Sequence, residues 1–343
     1  MPKMNIRTIH SVDTEYSADS VEWCPTENCR QYFVCGTYQL EDNQSQELVL
    51  PTRRKGRIYL FKYDGNTEEL SKLDSVETAA ILDQKWTEVD GKPVVAAANA
   101  LGEIMLYGLV DEKLSLVSSV HLNPDIDNLL TLSIDWNTNE TNRQMLSSDS
   151  KGNISLLQLN ESDLSVVTRW NAHSFEAWTC CFDKWNNHIV YSGGDDTSLH
   201  VYDTRISTKT MTNKTHMAGV TSLLSFENRE HILATGSYDE NLRIFDLRTF
   251  KNPLSSIDLK GGIWRIKPDP VVKNLLLCAC MYHNFSFVSI DDTNEKTELV
   301  GEYFEHKSIC YGSDWCREVF NNEMIMATCS FYDQKLCICS VKH

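Results

Sequence analysis

The chain has 343 residues, of which 41% are hydrophobic and 10% aromatic, and its 48 acidic and 32 basic side chains give a formal net charge of -16. This charge excludes general binding to a phosphate backbone, which depends on Lys and Arg, so no direct contact with nucleic acid is expected. No window approaches a membrane span of about 20 apolar residues, and the first residues lack the apolar core of a signal peptide. We therefore expect a cytoplasmic protein without integral membrane association.

The first predicted element, residues 6–12, alternates apolar and polar side chains as a β-strand does, but no partner strand precedes it. A first complete unit follows, with strands at residues 20–25, 31–38 and 57–61. Segment 39–54, between the last two strands, is polar and acidic and is broken by Pro51. It predicts a loop inserted in a hairpin.

The second and third units repeat the same order of strands, at residues 80–86, 94–98 and 104–107, and then at 132–136, 145–148 and 154–157. The fourth and fifth units are one sequence written twice, because four landmarks recur after 43 residues. These pairs are His173 and His216, Asp196 and Asp239, Asp203 and Asp246, and Arg205 and Arg248. An ungapped period of this size is typical of a propeller blade with four strands.

The sixth unit has predicted strands at residues 263–267, 275–280 and 285–288, and the seventh has them at 311–315, 325–329 and 336–339. Only three strands of the seventh unit fit before the chain ends, so residues 6–12 are expected to complete that blade. This closure hides the edges that an open array exposes. The sequence predicts one closed all-β domain over residues 1–343.

The repeated His and Asp residues have a structural explanation. Units four and five resemble WD repeats, in which this His and Asp belong to a hydrogen-bonded network that fixes one connecting loop. The predicted fold is thus a seven-bladed WD-repeat β-propeller, with His173 and His216 in such networks. The first-strand carboxylates Glu22, Asp135 and Asp314 recur from unit to unit, which favours packing or hydrogen bonding over catalysis.

Standard catalytic motifs are absent from the sequence. It contains no nucleophile elbow, no zinc-binding H-E-x-x-H, no Gly-rich phosphate loop and no C-x-x-C pair among its twelve cysteines. The cysteines are therefore expected to be reduced and buried, and neither a metal nor another cofactor is predicted. Motifs alone favour a non-enzymatic interaction scaffold, although a fold does not decide a function.

The top face of the propeller, where the first strand of each blade begins, is the predicted place for a site. Aromatic rings with nearby carboxylates are what a quaternary ammonium requires, since it donates no hydrogen bond and binds through ring quadrupoles and Coulomb attraction. The repeat pattern places nine aromatic or acidic residues and one arginine on this face: Asp19, Tyr38, Glu176, Trp178, Asp195, Tyr238, Trp264, Arg265, Tyr311 and Tyr332.

Longer segments of the sequence make the resemblance more specific. Residues 12–15, 18–25, 35–40, 173–178, 229–240, 261–267 and 327–333 resemble the WD-repeat diphthine methyl ester hydrolases of diphthamide biosynthesis. Two of the matching strings depart from a plain WD repeat, Phe175-Glu176-Ala177-Trp178 and Trp264-Arg265-Ile266-Lys267. The resemblance implies a protein substrate, translation elongation factor 2, with a modified histidine that carries a trimethylammonium group and a carboxyl methyl ester. Hydrolysis releases methanol and exposes the carboxylate for the amidating enzyme, a second expected partner.

The residues of the top face suggest a mechanism for this reaction. Glu176 or His173 acts as a base on the attacking water, and Arg265 or a backbone amide stabilises the oxyanion. Ser174, beside His173, is a less favoured nucleophile. The predicted substrate-binding residues are Trp178, Trp264, Tyr38, Tyr238, Tyr311, Tyr332 and Asp19.

The sequence also allows a different class of function. A non-catalytic propeller that serves as an adaptor in a pathway or in trafficking would use segment 39–54 and the acidic rim as contact surfaces. The absence of a standard nucleophile favours this alternative.

Overall fold

A computed structural model describes residues 4–41, 54–139, 141–206 and 208–342 of the chain. These residues form seven four-stranded antiparallel sheets, which are the blades of a β-propeller. The predicted seven-bladed fold is therefore confirmed. Residues 42–53, most of the predicted hairpin loop, lie outside the described residues.

The chain begins with strand β1 (Asn5–Asp13) and then forms blades 1 to 3. Each of these blades is a meander in which strands that are consecutive in the chain pair as antiparallel neighbours. Blade 1 contains β2 (Ser17–Trp23), β3 (Tyr32–Leu40), β4 (Arg54–Asp64) and β5 (Glu69–Ala79); blade 2 contains β6 (Ile81–Val89), β7 (Lys92–Asn99), β8 (Glu103–Val110) and β9 (Lys113–His121); blade 3 contains β10 (Thr131–Trp136), β11 (Gln144–Asp149), β12 (Asn153–Asn160) and β13 (Asp163–Asn171).

Blades 4 to 6 repeat the meander, and a 3₁₀ turn at Leu247–Thr249 follows the third strand of blade 5. Blade 4 contains β14 (Thr179–Phe182), β15 (Ile189–Gly193), β16 (Leu199–Asp203) and β17 (Thr208–Asn213); blade 5 contains β18 (Val220–Ser225), β19 (Ile232–Ser237), β20 (Asn241–Asp246) and β21 (Ser255–Asp258); blade 6 contains β22 (Gly262–Pro268), β23 (Leu275–Met281), β24 (Asn284–Ile290) and β25 (Thr297–Tyr303).

Blade 7 joins the two ends of the described chain. Its last three strands are β26 (Cys310–Phe320), β27 (Glu323–Ser330) and β28 (Lys335–Lys342), and β1 pairs with β28 as the fourth strand. The register places Ile6 opposite Val341 and Val12 opposite Leu336. The predicted closure by the N-terminal strand is confirmed, and it covers a sheet edge that would otherwise be open.

The hydrophobic core lies between the blades and not inside any one of them. Seven buried clusters each combine residues of two neighbouring blades, as blades 7 and 1 do through Ile338 and Phe33. Each blade therefore buries both of its faces only through its neighbours, as expected of a repeat architecture. All twelve cysteines are free thiols, and all except Cys29 are buried.

Carboxylates of the first strands connect neighbouring blades around the central channel. Asp314 accepts a hydrogen bond from the Trp23 backbone N–H at 2.7 Å, and Asp83 accepts one from the Ile134 N–H at 2.9 Å. Asp135 accepts one from the N–H of Phe182, also at 2.9 Å. A second set of bonds joins Glu22 of blade 1 to Lys85 of the neighbouring blade 2 and to Lys267 of blade 6, which is not a neighbour. These contacts give Glu22, Asp135 and Asp314 the structural role expected from the sequence.

Candidate functional site

A β-bulge near the start of the first strand recurs in six of the seven blades within the described part of the chain. A bulge inserts a residue that has no partner on the neighbouring strand and re-aims its side chain. The inserted residues are Asp19, Leu82, Leu132, Thr221 and Trp264, together with Tyr311 and Gly312 in blade 7. In blade 4 the corresponding residue is Trp178, which directly precedes β14. These positions surround the top opening of the central channel.

Four aromatic side chains come together at this opening, and we call them the aromatic row: Trp178, Tyr238, Trp264 and Tyr311. The Trp264 ring centroid lies 5.0 Å from that of Tyr311, 5.7 Å from that of Trp178 and 6.1 Å from that of Tyr238. Trp178 and Tyr238 meet edge to face at 5.9 Å. Since these rings come from blades 4 to 7, the fold unites residues that are up to 133 positions apart.

Two carboxyl groups lie at the Trp178 end of the aromatic row. The indole Nε1 of Trp178 donates a hydrogen bond to Asp195 at 2.9 Å, and the Asp195 backbone N–H donates to the Glu176 carbonyl at the same distance. Burial raises the pKa of Tyr238 well above its usual value, and the negative charges of Asp195 and Glu176 add to this rise. The rings at this end therefore lie in a field that favours a cation.

Phe331 extends the aromatic row toward blade 1. Its ring lies 5.4 Å from Tyr311, 5.7 Å from Tyr38 and 5.1 Å from Tyr332. Tyr38 accepts a hydrogen bond from Arg54 through its hydroxyl at 2.8 Å, whereas Tyr332 is 73% exposed. Both tyrosines were predicted to bind substrate, and among the described residues their ring contacts with the aromatic row run through Phe331, which was not predicted as a site residue.

Arg265 and Asp19 lie near the Tyr311 end of the row. The Arg265 guanidinium is 5.9 Å from the Trp264 ring centroid, and its Nη2 donates to Asp83 at 3.1 Å and to the Leu82 carbonyl at 3.0 Å. Burial raises the pKa of Asp19 to about 8, although the charge of Arg265 opposes the rise. The site thus combines a fixed cation with a buried carboxyl group.

His173 belongs to a buried hydrogen-bonded network in blade 4. Its Nδ1 lies 2.9 Å from Asp196 and its Nε2 lies 2.8 Å from Ser192, so both ring nitrogens are occupied. Asp196 also accepts the backbone N–H of Ser174 at 3.1 Å, which fixes the loop. This is the scaffold arrangement expected of the repeat, and the catalytic role predicted for His173 stays a prediction that the hydrogen bonding does not favour.

The same network contains the one group of possible metal ligands found among the described residues. Ligating atoms of His173, Asp196 and His200 lie within 4.8 Å of one another. The Nδ1 of His200 lies 3.0 Å from the Thr212 hydroxyl, and burial, followed by the charge of His173, lowers the pKa of His200 to about 4. The hydrogen bonds within the blade account for these contacts.

A cavity lies along the first strands, toward the strand ends opposite to the aromatic row. It has a volume of about 720 Å³ and is lined by residues of several first strands, including Glu22 and Asp135, and by Lys184, which follows β14. Arg265 borders it and marks the boundary between the two regions. We place the candidate site at the aromatic row, because Glu22, Asp135 and Lys184 of the cavity are engaged in bonds between blades. Within the described residues, no helix is long and apolar enough to cross a membrane.

Comparisons with known proteins agree with the fold. The WD domain, G-beta repeat family model matches residues 164–203 and 207–246, which contain the duplicated unit. A chain in the crystal structure of the mitotic checkpoint complex superposes with a TM-score of 0.75 at 15% identity, covering 100% of this chain and 94% of that one. This likeness concerns the fold alone.

Sequence relatives give a more specific result. The diphthine methyltransferase of Mus musculus is 40% identical to this chain, over 90% of this chain and 69% of the relative. The diphthine methyltransferase homolog of Dictyostelium discoideum is 36% identical over 94% of this chain and 96% of its own length. The diphthine methyltransferase of Saccharomyces cerevisiae is 27% identical over 88% of this chain and 91% of its own length. The identities of 40% and 36%, over more than two thirds of each of these two relatives, show that the protein belongs to the diphthine methyltransferase family.

Proposed function

We propose that this protein acts in diphthamide biosynthesis and hydrolyses the methyl ester of methylated diphthine on translation elongation factor 2, producing diphthine and methanol. The observation that carries the proposal is the aromatic row with Asp195 and Glu176 at one end. A trimethylammonium group has no N–H to donate and therefore binds to ring faces and to nearby negative charge. The family membership supports diphthine as the molecule that carries this cation.

Arg265 supports the chemical part of the proposal. Its Nη2 is hydrogen bonded, whereas its Nε and Nη1 donate to no other described residue. The guanidinium carbon lies 5.9 Å from the Trp264 ring centroid, so these donors are available to stabilise the negative charge that develops on the ester carbonyl oxygen. The bonds from Nη2 to Asp83 and to the Leu82 carbonyl hold the guanidinium in place, so this stabilisation requires little reorganisation.

The surface around the site supports a protein substrate. Five exposed apolar or aromatic side chains lie on loops of the top face, each at least 60% exposed: Phe175, Met217, Tyr282, Phe304 and Tyr332. Exposed apolar groups that gather on one face are typical of a surface that contacts another protein. A modified histidine on a protruding loop would reach the aromatic row while its flanking residues cover this rim.

The test is to incubate the purified protein with methyl-esterified elongation factor 2 and to measure the mass of the modified peptide. Hydrolysis converts the methyl ester to the acid, with a loss equal to one CH₂ group and release of methanol. A gain of a methyl group in the presence of a methyl donor would indicate the transfer reaction named for the relatives. An unchanged mass with intact, saturating substrate would refute hydrolysis and favour the scaffold alternative.

A further inference from the structure

We infer that Asp19 is the general base that deprotonates the attacking water, in place of Glu176 or His173. This assignment rests on the proposed function and deepens it. The sequence predicted Asp19 only as a substrate-binding residue. Its position, its burial and its lack of hydrogen-bond partners point to a role in the reaction itself.

The contact between blades 1 and 7 places Asp19 beside the aromatic row. It is the inserted residue of the β2 bulge, as Trp264 is of the β22 bulge. The strand β26 approaches β2 closely here, since a Cβ built on Gly312 would be 2.8 Å from the Val21 nitrogen and 2.9 Å from the Ser20 carbonyl carbon. Tyr311, the neighbour of this glycine, is therefore held next to Asp19.

Burial without a partner distinguishes Asp19 from the other carboxylates near the channel. It is only 5% exposed, yet its carboxyl group forms no hydrogen bond or salt bridge with any described residue. Asp83, Asp135 and Asp314 are bonded to backbone N–H groups of the next blade, and Glu22 is bonded to two lysines. A buried carboxylate without such bonds is unfavourable for folding, so structure alone does not explain Asp19.

Glu176 is less suited to the same task. It lies with Asp195 near Tyr238, at the end of the row where negative charge attracts the cation. Proton transfer to Glu176 would remove that charge at the moment when the cation needs it. Asp19 lies at the other end, within range of Arg265, where the oxyanion is stabilised.

The electrostatic surroundings of Asp19 suit a base that works near neutral pH. Burial is the main cause of its raised pKa of about 8, Arg265 lowers the value and Asp83 raises it. The other titratable groups that sense its charge are Tyr38, Tyr311 and Cys329, on β3, β26 and β27. Burial raises the pKa of each of these groups, so they stay neutral over the pH range in which Asp19 titrates.

The hydrolysis needs one proton transfer to Asp19 and one proton transfer back. The Asp19 carboxylate takes one proton from water while the water oxygen bonds to the ester carbonyl carbon. When the tetrahedral intermediate collapses, the bond between carbon and the methoxy oxygen breaks, and Asp19 returns the proton to form methanol. The new carboxylic acid then loses its own proton to solvent.

The experiment compares Asp19→Asn, Glu176→Gln and the control Asp135→Asn in the full-length protein, with methyl-esterified elongation factor 2 as the substrate. Asp135 is a suitable control because it is a first-strand carboxylate that bonds to the scaffold. We expect Asp19→Asn to lower kcat about 100-fold or more, as loss of general base catalysis does. Glu176→Gln should mainly raise KM, and Asp135→Asn should leave kcat of the folded fraction within about 3-fold.

Two readouts separate a catalytic role from a structural one. Wild-type kcat/KM should rise with pH through about 8, and Asp19→Asn should lose this rise. Because the folded pKa of Asp19 is above the unfolded value of 3.8, ionisation destabilises the folded protein as pH increases. Asp19→Asn should therefore have a higher Tm than wild type at pH 9 although it is inactive.

Three results would overturn the assignment: near wild-type kcat in Asp19→Asn, an unchanged pH profile in that variant, or a Tm at pH 9 that falls together with activity. An inactive wild-type protein would instead refute the proposed function, so the two failures are distinguishable.

Discussion

Replacing Trp264 by Leu tests whether the aromatic row binds a cation through its rings. Trp264 contacts three other rings, with centroids at 5.0, 5.7 and 6.1 Å, so it is the central member of the row. A partly desolvated cation–π contact contributes about 1 to 2 kcal/mol. Leu keeps an apolar side chain but removes the ring quadrupole, and we expect KM for the trimethylammonium substrate to rise roughly 5- to 30-fold. The value of kcat should change less, because the reacting groups remain.

The assay compares two synthetic peptides with the same methyl ester, one with a trimethylammonium group and one with a neutral tert-butyl group in its place. Wild type should prefer the cation, and Trp264→Leu should lose most of this preference. Trp264→Phe, which keeps a ring, should be intermediate. Trp185→Leu serves as the control, since its half-exposed indole bonds to the Phe226 carbonyl on the opposite face. An equal preference for the cation in wild type and Trp264→Leu would refute the ring-based account.

Three further predictions concern the scaffold. Burial is the first cause of the pKa values of about 4 for His200, His216 and His306, so the unfolded state binds more protons below pH 6.5. The free energy of unfolding, measured in urea, should therefore fall as pH decreases from 6.5 to 4, by at most about 3 kcal/mol per histidine. His216→Gln should make this dependence on pH weaker, and an unchanged dependence would contradict the assignment. Asp135→Ala leaves the Phe182 backbone N–H and the Lys184 ammonium without their partner. The free energy of unfolding, measured in urea, should fall by about 2 to 4 kcal/mol. A loss below about 0.5 kcal/mol would contradict the structural role of Asp135. Deleting β1 exposes the β28 edge and should lower Tm and produce oligomers in light scattering, whereas a stable monomer would show that closure is unimportant.

The fold was predictable because the strands nearest the channel carry a strong signal. Strands such as β23, fully buried, appear as short apolar runs, and the duplicated unit supplies the blade length. The outermost strands were not predicted one by one. Strand β17 shows why, since five of its six residues are exposed and no alternation of apolar and polar residues marks it. Its place follows from pairing with β16, which is a tertiary property.

The candidate site was predictable in its composition but not in its arrangement. The template placed Trp178, Tyr238, Trp264 and Tyr311 on one face, and the structure brings these four together. Nothing in the local sequence states that Phe331 joins Tyr38 to the row, because that contact depends on how blades 7 and 1 meet. The one available signal was its place in the aromatic pair with Tyr332.

The scaffold and the site use different kinds of repetition. His173 and His216 repeat in sequence, and the structure buries both inside their blades. His173 bonds to Asp196 and Ser192 as expected, whereas His216 bonds to Thr235 and its Nδ1 has no partner among the described residues, so its predicted bond to Asp239 is not formed. Asp19 and Trp264 share no residue type, yet both are the inserted residue of a first-strand bulge. A bulge leaves its side chain without a neighbour on the next strand, so that position is free to vary while the blades keep their packing. The fold thus offers a ring of equivalent positions at the channel opening, and chemistry can be assembled there from unlike residues without loss of the repeat that holds the propeller together.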